Sequence, residues 1–415
     1  MRRILLSVFL VAMLFAGLKA ETRYAGGDIS LLPEYEKAGA QYKDTEGKPI
    51  ADLIPWLKEQ GMNAMRVRLF VDPAAYTGSD KDPNACQDLE YIKPVCKRIV
   101  DAGMDLMLDF HYSDTWADPG KQWTPEEWKD LTDEQLYQQI YEYTKGVLAE
   151  LKANGIVPAF IQPGNEISYG MLWGPVGTPE NDLKKTYIGS DKNWDRFCTL
   201  LRQAIKACRE ECPDAKIVIH TERVAQVNVQ SNFYAMMKKF GVEYDIVGLS
   251  YYPYFHGNMA TLRNALAAVE KDCPDKDIMI VETGYSYKWP VPGTTHDNST
   301  TWPYSEEGQN KFMHDLVAEC EARPSVNGIF WWWMEYNAYD TTLTGWYNAA
   351  LFDSTTGKAT KALTTLASFA KDSGMLTICP EGGAEVKIWY NLQGIPSDQP
   401  GEHGIFIRNG KKILR

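Results

Sequence analysis

The chain has 415 residues, 44% of them apolar, with 55 acidic against 43 basic side chains and a net charge of −12. That supplies a large core, and the acidic balance argues against nucleic acid and anionic membrane surfaces as partners. Aromatic residues are prominent, with 13 Trp and 23 Tyr. Core packing and a sugar-binding cleft, where flat rings stack on the C–H faces of pyranoses, both account for them.

Residues 1–20 read as a secretory signal peptide. Arg2-Arg3 is a basic start, residues 4–17 are an apolar core too short for a comfortable span, and Leu18-Lys19-Ala20 ends in a small residue suited to cleavage. The expected location is extracellular, cell-surface or periplasmic. No other stretch is long and apolar enough to span a bilayer. Export permits disulfides among the eight Cys. Cys86 and Cys96 are placed to close a short loop, and the connectivity stays open. No CxxC pair occurs, which weakens zinc and thioredoxin-like readings.

From Tyr24 onward, strand-like and helix-like segments alternate. Tyr24–Ser30 is a strand, and Ala51–Gln60 is a helix stopped at Gly61. Asn63–Phe70 is a strand whose period of two puts Arg66 and Arg68 on one face. Leu89–Ala102 is a helix, and Met104–Phe110 is a strand leading into His111. Asp133–Asn154 is a long amphipathic helix capped by Thr132 or Asp133. Ile156–Ile161 is a buried strand stopped by Gln162-Pro163-Gly164, with Asn165-Glu166 just beyond. Asp195–Cys212, Ser231–Phe240, Met259–Lys271, Glu306–Ala322 and Thr360–Phe369 have helical spacing. Lys216–His220, Tyr244–Ser250, Ile278–Val281 and Gly328–Trp333 are strands between them.

Eight strand candidates, each followed by a helix, predict a (β/α)8 barrel over residues 21–372 with long loops on one face. A doubly wound sheet is the alternative. The barrel is favoured because polar residues cluster after nearly every strand rather than at one switch point. Residues 373–415 form a small β appendage, with Glu385–Tyr390 and Gly404–Arg408 alternating and Asn409-Gly410 as a turn.

The strand exits bring together Asp28, Arg66, Arg68, His111, Asp114, Asn165, Glu166, Tyr252, Glu282 and Trp332. Glu166 after the fourth strand and Glu282 after the seventh would face each other across a closed barrel. Two opposed carboxyls suit acetal cleavage, where one protonates the leaving oxygen and the other meets the oxocarbenium-like carbon. A gap of roughly 5–5.5 Å gives retention, and about 6.5–9.5 Å gives inversion. Asp114 and Asp118 read as turn formers.

Several motifs occur in order: Gly26-Gly27-Asp28, Arg66-Val67-Arg68, Asp109-Phe110-His111-Tyr112-Ser113-Asp114, Trp116-Ala117-Asp118-Pro119, Gly164-Asn165-Glu166-Ile167, Tyr251-Tyr252-Pro253, Glu282-Thr283-Gly284 and Gly345-Trp346-Tyr347. Together they resemble glycoside hydrolase family fifty-three, the endo-β-1,4-galactanases, over Tyr24 to Ala370. The resemblance implies a barrel of a retaining clan acting on β-1,4-galactan, with Glu166 as acid/base and Glu282 as nucleophile. Asn165 would then bond the sugar 2-hydroxyl. Arg66 or Arg68 and the Tyr252 hydroxyl would hold Glu282 ionised. Trp332 would floor the subsite of the reacting sugar, with Trp116 and Trp346 as loop platforms and Asp28, Arg66 and Arg68 among the substrate contacts, while His111 either touches substrate, orients a carboxylate or is a satisfied core residue.

Bacterial relatives often carry an Asp-rich, calcium-binding loop after strand seven. Here Pro292 and Thr294 stand at the aspartate places, leaving His296 and Asn298, so no calcium is expected and no cofactor is required. Disulfides would take over part of the restraint. A monomer is expected. Competing readings are another retaining β-glycanase of mannanase or xylanase type and a non-catalytic glycan-binding protein. A metal-dependent barrel hydrolase is disfavoured because it needs clustered His ligands.

Overall fold

The computed structural model describes residues 22–187, 191–337 and 345–371, together with four short strands between residues 389 and 414. Residues 23–370 and the C-terminal strands belong to separate compact units. In the larger unit eight parallel strands close into a barrel in sequence order. They are β1 (Tyr24–Asp28), β2 (Ala64–Leu69), β3 (Asp105–Phe110), β4 (Phe160–Pro163), β5 (Lys216–Thr221), β6 (Ile246–Tyr251), β7 (Asp277–Thr283) and β8 (Val326–Trp331).

Several helices between them start and stop where local chemistry predicts, although the helix expected from Ser231 begins at Val227 and the one expected from Asp195 begins at Asp191. Asp52 caps Leu53–Gln60 through the Ile54 amide, and Gly61 ends it in the left-handed region at φ 109°. Thr132 and Gln135 form a reciprocal capping box on Asp133–Ala153. Each helix packs its apolar face on the outer surface of the strands, burying residues such as Ile92, Leu148, Leu201, Leu266 and Leu316. None of the described helices is long and apolar enough to cross a membrane.

Every barrel strand differs from the sequence reading by a residue or more at one end or both, and three of the differences bear on the site. β4 begins at Phe160, not Ile156. Pro158 has no N–H to give a ladder, and pairing opens only where the Ala159 amide reaches the Leu106 carbonyl. β7 extends to Thr283, which puts Glu282 inside the strand. β8 starts at Val326 and ends at Trp331, so Trp332 lies just beyond it.

The seven described cysteines are all free thiols, so Cys86 and Cys96 do not close the expected loop. Most sit on helices facing the apolar layer, where they pack as small hydrophobes. Cys379 and the residue 1–20 leader lie outside the described residues. The C-terminal unit contains a four-stranded sheet with the order Pro396–Ser397, Trp389–Asn391, Ile405–Arg408, Lys411–Leu414. The last two strands pair antiparallel with Arg408 opposite Lys411. Asn409-Gly410 and most of the expected strand Glu385–Tyr390 lie outside the described residues.

Candidate active site

The barrel interior changes character from bottom to top. Its lower layer is apolar: Ala64, Met107, Phe160, Val218, Ile246, Met279, Val281 and Phe330 pack together. One step up on the same inward faces stand Arg66, Asp109, Gln162, His220, Ser250 and Glu282, all buried. The period of two produces this stacking along the strands other than β7. Buried polar groups are costly unless paired, and here most of their polar atoms pair with one another, Arg66 Nε and Gln162 Oε1 being left without a hydrogen bond among the described residues.

Arg66 is the hub. Its Nη1 lies 3.1 Å from Asp28 Oδ2, and its Nη2 lies 2.7 Å from Asp109 Oδ2 and 3.0 Å from Glu282 Oε1. Nη2 also donates to Asn165 Oδ1 at 2.8 Å. The Tyr252 hydroxyl donates to Glu282 Oε2 at 3.0 Å. Arg66 and Tyr252 therefore hold the carboxylate of Glu282 between them. Arg68 does not share this role. It pairs with Asp28 at 2.7 Å and lies under the rings of Trp116 and Trp332, 4.8 Å from each centroid.

A β-bulge orients the nucleophile candidate. Counted from Met279, strict alternation would turn Glu282 out toward the helices. The ladder instead shifts: Ile280 pairs with Leu249, but Glu282 pairs with Ser250. The extra residue is Val281, and two successive side chains face the lumen. Gly248 makes room, since a Cβ there would meet Val218 Cγ1 at 2.8 Å and Val281 Cγ1 at 3.2 Å.

Glu166 leaves β4 through a tight turn. Gly164 has φ +114°, and a Cβ on it would meet Ile167 Cγ2 at 2.7 Å. Glu166 itself sits in the left-handed region at φ 48° and ψ 52°, unusual for a residue with a side chain. Its Oε1 accepts from Ser250 Oγ at 2.6 Å, and Ser250 Oγ is 2.8 Å from His220 Nε2. Since the serine proton goes to Glu166, His220 Nε2–H donates to the serine. Burial, then the Arg66 charge, drives His220 well below its ordinary pKa, so it stays neutral.

One oxygen each of Glu166 and Glu282 and a ring nitrogen of His220 lie within 4.8 Å of one another. That approach matches the short carboxyl spacing of retaining glycosidases, about 5–5.5 Å. The three groups are close enough to hold a cation, but both nitrogens of His220 are already hydrogen-bonded. Burial pushes Glu282 up to about 7 against the pull of Arg66 and Tyr252. Glu166 is driven well above the usual carboxyl range by burial first, then by the charges of Glu282 and Glu222. Of the two, Glu166 keeps its proton and Glu282 releases one.

Around the dyad lies a cleft of about 390 Å³ lined by Trp116, Asn165, Glu166, Glu222, Tyr252, Glu282, Trp332 and Trp346, among others. Trp116 and Trp332 meet edge to face at 6.0 Å, and Trp346 stands against Tyr252 at 6.1 Å. Asn165 donates one amide hydrogen to the Ala117 carbonyl at 2.8 Å. Four residues expected to touch substrate, Arg66 with Asp28, Arg68 and His111, are instead set behind the cleft. Asp28 and Arg68 are buried and paired with each other. His111 is buried, with Nδ1 accepting from the Ala117 amide at 3.0 Å and Nε2 lying 3.1 Å from Asp109. It orients the Asp109–Arg66 pair and the loop carrying Trp116. Asp114 accepts from the Asp72 and Glu126 amides and Asp118 from Gly120, as turn formers do.

Sequence reasoning missed Asp109, Gln162, His220, Ser250 and Glu222. The first four had a signal: each interrupts or ends an apolar strand on its inward face. Glu222 follows β5 with no such signal. In the loop after β7, Thr294 Oγ1 donates to the Val291 carbonyl and Asn298 to the Pro253 carbonyl. These bonds restrain the loop, a task that the free thiols leave to them.

The family model described as "Glycosyl hydrolase family 53" matches residues 24–366. An arabinogalactan endo-β-1,4-galactanase of Cellvibrio japonicus is 31% identical over 373 residues, covering 84% of this chain and 92% of that protein. A probable arabinogalactan endo-β-1,4-galactanase A of Neosartorya fischeri is 31% identical over 343 residues, covering 80% and 89%. Among solved structures, the GH53 catalytic domain of Ignisphaera aggregans superposes with a TM-score of 0.73 at 31% identity, covering 85% of this chain and 97% of that one. The paired carboxyls above an eight-stranded barrel agree with that match along nearly the whole barrel, and the chain belongs to glycosyl hydrolase family 53.

Proposed function

We propose that the protein is an endo-β-1,4-galactanase that cuts internal bonds of galactan or arabinogalactan side chains of pectin with retention at the anomeric carbon. The observation that carries this reading is the Glu166–Glu282 approach, within 4.8 Å, in an aromatic-walled cleft of a family 53 barrel. The relatives named above supply the substrate.

Glu282, ionised and held by Arg66 and Tyr252, attacks the anomeric carbon. Glu166 gives its proton to the departing glycosidic oxygen, and a covalent glycosyl-enzyme forms. Discharging Glu282 removes one of the charges that raise Glu166. Glu166 now prefers to stay ionised, takes a proton from water, and the hydroxide equivalent releases the sugar with Glu282 restored. Asn165 has a second amide hydrogen for the sugar 2-hydroxyl, a contact that tightens in the transition state. No step calls on a metal or cofactor. Export through residues 1–20 and action as a monomer belong to the same proposal.

Potato galactan, carboxymethyl-cellulose, mannan and xylan separate the readings. Reducing ends released from galactan alone, undiminished after EDTA dialysis, are expected. Release from mannan or xylan instead would make the protein another retaining glycanase, and binding without release would make it a glycan-binding protein.

A further inference from the structure

The catalytic reading gives Glu222 only the part of a charge that raises Glu166, and no contact with substrate. Glu222, just past the end of β5, lines the cleft beside Glu166 yet is only 7% exposed. Its Oε1 accepts from Ser168 Oγ and pairs with Arg223 Nε at 2.7 Å. Its Oε2 is buried and has no hydrogen-bond partner among the described residues. Leaving a buried carboxylate oxygen unpaired is costly. Arg223 is fixed as well, donating to Ser168 Oγ at 2.9 Å and lying 3.8 Å over the ring of Tyr169. Tyr169 in turn packs on Tyr187 with centroids 4.2 Å apart, and Tyr187 is 54% exposed.

Position tells what such a group would meet. Trp332 and Trp116, on the opposite wall, sit over Arg68 and Arg66, beside the nucleophile. The sugar that becomes bonded to Glu282 lies there. Glu166 must reach the oxygen that leaves, so the departing sugar lies beyond Glu166, on the β4–β5 side. That side is where Glu222, Arg223, Tyr169 and Tyr187 stand.

We propose that Glu222 and Arg223, with the Tyr169–Tyr187 pair, form the subsite for the departing part of the polysaccharide. Glu222 Oε2 accepts a hydroxyl hydrogen of the first departing galactose. Tyr187 offers its face to the C–H surface of the next sugar. Ser168 and Arg223 hold the carboxylate so that its free oxygen is presented to the ligand. This rests on the galactanase reading and adds which residues grip the leaving chain.

The test compares galactan with a dinitrophenyl β-galactobioside, whose leaving group is not a sugar. For Glu222→Gln, the galactan-to-aryl ratio of kcat/KM should fall about 10–100-fold, the cost of a lost hydrogen bond to a charged group. Tyr187→Ala, an exposed change with little risk to folding, should lower the ratio several-fold. Transfer of galactobiosyl groups to added galactobiose, relative to hydrolysis, should fall in parallel; both routes use Glu166 as the base, so this ratio does not respond to the Glu222 charge that raises Glu166. An unchanged ratio in both variants, whether or not overall activity drops, overturns the proposal. A wild type that leaves galactan uncut but hydrolyses another glycan overturns the substrate reading alone. The same ratio, taken with that glycan and its aryl glycoside, then decides the subsite.

Discussion

Ser250 Oγ donates a 2.6 Å hydrogen bond to Glu166 Oε1 while accepting from His220. The bond stabilises the ionised form of Glu166 and works against the burial that raises it. Ser250→Ala should therefore raise the Glu166 pKa further and move the alkaline limb of the kcat/KM profile to higher pH. The acidic limb, set by Glu282, should stay in place. A loss of about 10-fold at the optimum is expected from one hydrogen bond to a charged group. A pH–rate series on galactan reads both.

The two carboxyls should fail differently. Glu282→Gln should remove nearly all turnover while oligosaccharide binding remains measurable by calorimetry. Glu166→Ala should still turn over dinitrophenyl substrates, and azide should rescue it. The rescued product should be the β-glycosyl azide, because azide attacks the glycosyl-enzyme from the face that water uses. An α-azide would contradict retention.

Arg66 touches three carboxylates at 3.1 Å or less. Arg66→Met leaves Asp109 and Glu282 buried without this counter-ion, while Asp28 keeps Arg68, and should cost about 3–5 kcal/mol of stability, read in urea denaturation. Arg66→Lys keeps a charge but not the fork. It should destabilise less, and since Arg66 lowers the Glu282 pKa, it should move the acidic limb to higher pH.

Glu335 gives a stability test away from the chemistry. It is buried, accepts from the Leu31 amide at 2.8 Å, and burial followed by the Asp28 charge pushes it from 4.5 up to about 8. A carboxyl raised on folding favours the folded state while protonated. Its contribution is whole below about 4.5 and is lost as pH rises through about 8. Glu335→Gln stays neutral and keeps an acceptor for Leu31. Its Tm should therefore fall less than that of the wild type between pH 5 and 8. Equal slopes would show that Glu335 does not titrate in this range.

The repeat of buried strand and amphipathic helix is legible because it rests on local periodicity and on caps such as Thr132 and Gly61. The dyad is legible because Glu166 and Glu282 break apolar runs. What lay hidden depends on three-dimensional pairing. Asp28, Arg68 and His111 occupy strand exits like substrate contacts, and only their mutual bonds show that they stand behind the cleft. Glu222 follows an ordinary strand, and its partner Ser168 comes from the turn after β4. Cysteine spacing suggested a bridge, whereas thiol pairing depends on side-chain direction.

The extra residue in β7 separates two clocks within one strand. Below Val281 the count of in and out is set by the apolar lumen, and above it by the sugar. A register slip in the lower half that the core rejects would not by itself carry Glu282 out of the cleft, and a change at the rim need not disturb Met279. A chimaera that borrows β7 from a regular barrel would inherit a single clock, and a carboxylate written at the same place in the sequence would face the helices.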